Sequence, residues 1–134
     1  MKGSDLQTKR TRAGLGLYTT VPIKKGARII EYTGEKISTE EADRRGGRYL
    51  FIVNKKRCVD GRRRENMSRY INHSCKPNCY PEINYAETRI FIFAKRAIAP
   101  GEELTYNYGK EYAKEYCSPC RCDACYAKSQ KQAD

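Results

Sequence analysis

Tryptophan is absent from this 134-residue chain and histidine occurs once, so eleven tyrosines supply most of the large aromatic side chains and any imidazole chemistry sits at one position. No apolar run is long enough to span a membrane, and the first residues offer a lysine with no apolar stretch behind it, so no secretory leader is expected. The expectation is a soluble intracellular protein with no membrane partner. Acidic residues are scarce as well: 16 Asp and Glu face 27 Lys and Arg, leaving a formal charge of +11 and an attraction to polyanions or acidic partners. The cations are scattered, at Lys9, Arg10 and Arg12, at residues 55–57 and at residues 62–64, in no RNA-recognition or helix-turn-helix pattern. Nearby nucleic acid is compatible with such a surface, whereas sequence-specific reading of it is not expected. Two glycines flank Leu15 but no third follows, which excludes a dinucleotide-binding fingerprint.

What is present fits one small β-rich domain. A chain of this length buries about two thirds of the surface that it exposes when unfolded, and 39% hydrophobic residues with many tyrosines favour strands over a helical bundle. Residues 1–11 are polar and basic and read as a mobile arm. Residues 21–26 form a turn that leads into a strand at residues 28–32. The unit recurs: Ile23, Gly26 and Gly34 are spaced as Ile98, Gly101 and Gly109 are, and residues 29–32 are echoed by residues 104–106. Two copies are too few for a solenoid and predict two turn-and-strand units in one all-β assembly. Ser38-Thr39-Glu40-Glu41 has the form of a capping box, predicting a short helix to about Arg45 that Gly46-Gly47 closes. Residues 48–53 and 57–60 form an expected hairpin, and residues 80–85 and 88–94 a second. One or two helical turns are expected at residues 66–70, and a short strand within 102–109.

Unusual chemistry is concentrated in Arg69-Tyr70-Ile71-Asn72-His73-Ser74-Cys75-Lys76-Pro77-Asn78-Cys79. This run holds the single His and two of the seven cysteines, and Pro77 prevents a helix through it, so it reads as a folded loop lining a site. An odd number of cysteines in a reducing compartment points to metal or packing rather than disulfides. Cys117, Cys120, Cys122 and Cys125 lie densely enough to suggest zinc, which takes four ligands. Either these four close the site alone, or three of them recruit a distant one such as Cys75. Cys58 and Cys79 read as buried packing.

In chain order, Gly14-Leu15-Gly16-Leu17, Tyr49 on its strand, the Asn-His-Ser-Cys-x-Pro-Asn run after Arg69, residues 102–108 and the closing cysteines are similar to the motifs of SET-domain protein lysine methyltransferases. The resemblance covers nearly the whole chain. It implies a mostly β SET-domain (β-clip) fold of several small sheets, with a knot-like C-terminal segment and a zinc-bound post-SET lid. The SET domain then occupies residues 12–109, the post-SET zinc segment 110–127 and a polar tail 128–134. The family's pre-SET cluster is missing and the insert between Gly46 and Asp60 is short, so this looks like a minimal SET domain.

The resemblance also implies S-adenosylmethionine as methyl donor, held by Gly14, Leu15, Gly16, Leu17, Tyr49, Arg69, Asn72, His73 and Tyr108. Arg69 suits the donor's carboxylate, the Asn72 carbonyl its amino group, and the backbone of His73 its adenine. Tyr108 matches the family's catalytic tyrosine, with Tyr106 and Tyr32 beside it on a lysine channel. The family uses no catalytic imidazole, which leaves His73 a structural part. Zinc is implied at Cys75, Cys120, Cys122 and Cys125, with Cys117 outside the first coordination sphere. The implied partner is a protein or peptide bearing lysine, usually a histone in this family, with mono- or dimethylation as the expected product. The implied place is the nucleus or chromatin in a eukaryote, and the cytoplasm, or delivery into a host, in a bacterium. Asn107 departs from the Asp that is common there. A different class of function, a basic zinc-stabilised module that binds chromatin or nucleic acid without catalysis, accounts for the charge but not for an intact Asn72-His73 pair and Tyr108.

Overall fold

The structure, a computed structural model, describes residues 2–109. β1 (Leu6–Thr11) and β2 (Gly14–Thr19) form a hairpin that buries Leu6 and Leu17. The mobile arm expected over residues 1–11 is therefore corrected: more than half of it is strand. Its polar composition reflects an edge position, where the exposed Lys9 and Arg10 discourage pairing with another chain.

Then follow β3 (Arg28–Tyr32), β4 (Glu35–Ser38), α1 (Thr39–Arg45), β5 (Leu50–Ile52), β6 (Arg57–Asp60), a 3-10 turn at Met67–Tyr70, β7 (Asn72–His73), β8 (Cys79–Asn84), β9 (Arg89–Ala94) and β10 (Glu103–Tyr106). They make three small sheets with strand orders β1-β2-β10-β7, β3-β9-β8 and β4-β6-β5. This is the mostly β architecture expected. Both hairpins form, the first with its opening strand trimmed to Leu50–Ile52. The Ser38 hydroxyl accepts from Glu41 N at 3.1 Å, and α1 ends at Gly46, whose φ of +64° suits glycine. No helix among the described residues is long and apolar enough to cross a membrane.

The two repeated units face each other and exchange bonds reciprocally. Ile23 N donates to Ile98 O and Ile98 N to Ile23 O, both at 2.9 Å. Gly26 N donates to Ala94 O at 2.8 Å and Gly101 N to Thr19 O at 2.7 Å; Ala94 N reaches Ala27 O and Thr19 N reaches Glu102 O. One numbering offset relates every pair, as an approximate two-fold relation requires. It also relates β2 to β9, and β2 pairs with β10 as β9 pairs with β3. Between the sheets, Leu17, Ile71, Ile90, Ile92, Ile98 and Leu104 are fully buried, each stabilising the fold by about 1.5–3 kcal/mol. β10 inserts between β2, antiparallel, and β7, parallel, which sets Tyr108, just after it, beside His73 of β7.

Ion pairs fasten the outer sheets. Arg89 meets Glu31 through two bonds, Nε to Oε2 at 3.0 Å and Nη2 to Oε1 at 2.8 Å, and this bonding holds the Glu31 carboxyl below its ordinary 4.5. Its contribution is complete above that value and is lost as pH falls through the lower folded value. Arg89→Gln should therefore lower the melting temperature by a few degrees at neutral pH, and the difference from wild type should shrink in acid below about 4.5. A difference that stays constant in thermal melts across this range would disprove the linkage.

Candidate active site

The loop after Met67–Tyr70 is fastened residue by residue. Asn72 Nδ2 donates to Leu15 O at 3.0 Å and to Glu103 Oε2 at 2.8 Å, joining β7 to β2 and β10. Both amide hydrogens are then engaged, which leaves Oδ1 as an acceptor. Gly16 leaves room for this bridge: a Cβ there would stand 2.5 Å from Glu103 Oε2, and the carboxylate would have to move off Asn72. Ser74 Oγ accepts from Lys76 N at 3.0 Å and turns the chain. Asn78 is buried and acts as a surrogate strand: its Nδ2 donates to Glu103 O at 2.8 Å and its Oδ1 accepts from Thr105 N at 2.9 Å.

His73 carries a structural load. Its Nδ1 accepts from Tyr108 N at 3.1 Å, and its Nε2 lies 3.5 Å from Cys75 Sγ. A backbone N–H can only donate, and burial lowers the His73 pKa, so the neutral ring keeps its proton on Nε2 and directs it at the sulfur. One imidazole thus ties the Cys75 loop to the backbone of Tyr108.

A cavity of about 840 Å³ opens in front of this loop. Of the residues expected at a donor or lysine site, Gly14, Leu15, Tyr32, Tyr49, Arg69, Asn72, Tyr106 and Tyr108 line it. Gly16, Leu17 and His73 do not. Leu17 packs in the core with none of its surface exposed, in register with both Thr8 and Leu104, so the short Gly-x-Gly run supplies cavity wall only at its first half. Aromatic rings form a continuous series: Tyr32 to Phe51 at 5.4 Å, Phe51 to Tyr106 at 6.3 Å, Tyr106 to Tyr108 at 4.8 Å and Tyr108 to His73 at 5.4 Å. The Tyr32 hydroxyl donates to Tyr49 O at 2.9 Å, and that of Tyr108 donates to Ile71 O. Phe51 escaped sequence reasoning because an aromatic within a strand reads as core.

Arg69 lies with its guanidinium carbon 4.2 Å from the Tyr49 ring centre and 5.2 Å from that of Tyr70, while Nη1 donates to Arg62 O. Its Nε is buried without a partner among the described residues. Such a donor is costly unless an acceptor arrives from outside, and a carboxylate is the acceptor that matches it best. Arg48 and Arg64 line the cavity as well, and no Asp or Glu does so among the described residues.

Of the expected zinc ligands, Cys75 is exposed and forms no disulfide among the described residues, and Cys120, Cys122 and Cys125 lie outside the described residues, as do Cys117 and the post-SET lid. Among the described residues no group of metal-binding side chains forms. Cys58 and Cys79 are buried as expected, and burial pushes the Cys79 thiol up to about 12. Tyr80 packs on Phe93 at 5.8 Å, whereas Tyr85 is 62% exposed near the tip of the β8–β9 hairpin.

A family profile described as the SET domain matches residues 14–109. The chain is 44% identical over 122 residues to "Histone-lysine N-methyltransferase trr" of Drosophila melanogaster, a match that covers 83% of this chain and 5% of that protein. It is 37% identical over 125 residues to "Histone-lysine N-methyltransferase ATX2" of Arabidopsis thaliana, covering 81% of this chain and 12% of the relative. With "Histone-lysine N-methyltransferase MEDEA" of the same plant it shares 42% over 111 residues, covering 75% and 16%. The chain therefore spans a small fraction of the length of these relatives.

Proposed function

The chain belongs to the SET-domain family, and from that premise we propose that it transfers methyl groups from S-adenosylmethionine to the side-chain amine of a lysine in a protein substrate. The observation that carries this reading is the meeting of Arg69, Asn72, Tyr106 and Tyr108 on the wall of one aromatic cavity. The unpartnered Arg69 Nε fits the donor's carboxylate, and Asn72 Oδ1, left over from the bridge to Leu15 and Glu103, fits its amino group. When bound, S-adenosylmethionine supplies a methyl group on a positively charged sulfur.

The chain's own residues address the protonation of the acceptor. A lysine of pKa near 10.4 is neutral about one time in a thousand at neutral pH, roughly 4 kcal/mol from its nucleophilic form. The rings of Tyr32, Phe51, Tyr106 and Tyr108 exclude water from an ammonium placed among them, and the arginines of the cavity repel it; both lower its pKa. With its hydrogen given to Ile71 O, the Tyr108 hydroxyl presents lone pairs to the cavity and can accept from the amine, fixing its direction. We further propose that zinc joins Cys75 to Cys120, Cys122 and Cys125, a set of thiolates that suits this ion, and pins the tail against the loop. The relatives' names suggest histones among the substrates and a nuclear setting.

Calorimetric titration with S-adenosylmethionine, followed by mass spectrometry of a lysine-peptide panel incubated with protein and donor, tests the function. Donor binding and methyl increments on lysine are expected. Absence of both would overturn the reading in favour of a basic binding module.

Product state rests on Tyr106, whose ring lies 4.8 Å from that of Tyr108. A hydroxyl there can hold a water in space that a methylated amine needs for another transfer, which favours mono- or dimethyl product. One such hydrogen bond is worth about 0.5–1.5 kcal/mol, or about two- to twelvefold in relative rate. Tyr106→Phe should raise the share of higher methylation states by such a factor and keep the first transfer. An unchanged product distribution in mass spectra would refute this role.

A further inference from the structure

We propose that this protein selects lysines flanked by acidic residues, with Arg64 at the cavity mouth receiving a substrate carboxylate; the inference rests on the methyltransferase reading above. The cavity wall carries Arg48, Arg64 and Arg69 and, among the described residues, no Asp or Glu. Elsewhere in the domain carboxylates are matched to other arginines: Glu31 to Arg89, Glu102 to Arg96, and Asp60 to both Arg45 and Arg62. Arg64 is exposed and makes no ion pair with a described residue, although it follows Arg62 and Arg63 in the same loop. Arg69 is held differently, half-buried against Tyr49 and Tyr70, with its Nε fully enclosed. The cavity thus has an enclosed cation suited to a small anionic ligand and an exposed one suited to a partner arriving from solvent.

Charge on the incoming chain decides how well it docks. A peptide whose target lysine lies among further cations meets Arg48 and Arg64 and a protein of formal charge +11, so both approach and docking are opposed. A peptide with Asp or Glu beside the lysine is drawn in and can meet the Arg64 guanidinium. An exposed pair of this kind changes affinity by about two- to fivefold, and charges more than about 8 Å apart are largely screened at physiological salt. The preference should therefore reside in the few residues next to the lysine and weaken as salt rises.

The test uses the full chain, S-adenosylmethionine with a labelled methyl group, and peptides that share one lysine with acidic, neutral or basic flanks. Expected is a kcat/KM order of acidic, neutral, basic, with about two- to fivefold per matched charge, compressed at high salt. Arg64→Gln should flatten the order and Arg64→Glu reverse it, with donor affinity kept in calorimetry. Methylation that ignores the flanks or favours basic ones would overturn the inference and leave the methyltransferase reading standing. Lost donor affinity in Arg64→Glu with an unchanged order would assign Arg64 to the donor and overturn it equally. No methylation of any peptide and no donor binding would remove both.

Discussion

Tyr108→Phe should slow methyl transfer by about a hundred- to a thousandfold, the range seen when a single oriented hydrogen-bonding group is removed from a reacting centre. Donor affinity should stay close to wild type, because the residues assigned to the donor's carboxylate and amino group are Arg69 and Asn72. The phenylalanine ring keeps the contacts with Tyr106 at 4.8 Å and His73 at 5.4 Å, and the backbone bond from residue 108 to His73 Nδ1 is untouched. What disappears is the hydroxyl between Ile71 O and the cavity. Leaving that carbonyl unpaired costs about 1–3 kcal/mol of stability if water does not replace the donor, so a melting curve should accompany the assay. Parallel losses of donor binding in calorimetry and of turnover would show that the hydroxyl builds the site rather than acting within it.

Cys75→Ser should remove zinc. The expected content is one ion per chain in wild type and close to none in the variant, whereas Cys117→Ser should keep it. Serine is a poor zinc ligand, and a thiolate supplied by the central loop cannot be replaced by residues that surround it, since its neighbour His73 has Nδ1 engaged by Tyr108 N. The loop itself should persist, because Ser74 and Asn78 hold it through their own bonds. Elemental analysis that finds the metal retained in Cys75→Ser and lost in Cys117→Ser would mean that the tail closes the site alone.

The parts of the fold legible in the sequence were those with a local cause. Ser38 caps α1 because a hydroxyl stands three residues before Glu41, and β9 reads as a core strand because Ile90 and Ile92 are fully buried between the partly covered Phe91 and Phe93. The repeat could be read from spacing, since Gly26 and Gly101 both occupy left-handed turns, with φ of +83° and +89°. β1 could not be read, because Leu6 is its one buried residue and the four residues after it are exposed, so the strand shows no apolar alternation. Within the site, Asn72, Arg69, Tyr106 and Tyr108 stood out by motif. Phe51 and Arg64 did not, because an aromatic in a strand and one arginine in a run of three carry no local mark of the cavity that they share. Leu17 lies in the core rather than on the cavity wall, and the space beside Gly16, next to it in the chain, is filled by the side chains of Glu103 and Thr11.

The insertion of β10 between β2 and β7 has a consequence for biosynthesis. During translation β2 emerges early and β7 later, yet the strand that must separate them is the last described one to leave the ribosome. Until then β2 is paired on one side only, with β1, and β7 lacks its sheet neighbour; Leu17 is without Leu104, and Asn72 has no Glu103 to bond. The nascent chain must therefore keep a groove of unpaired strand edge open, a species prone to misassociation at the temperatures and concentrations of a cell. Stalled chains ending before Glu103 should be protease-sensitive throughout and retained by holding chaperones, and protection should appear in one step once residue 109 clears the exit tunnel.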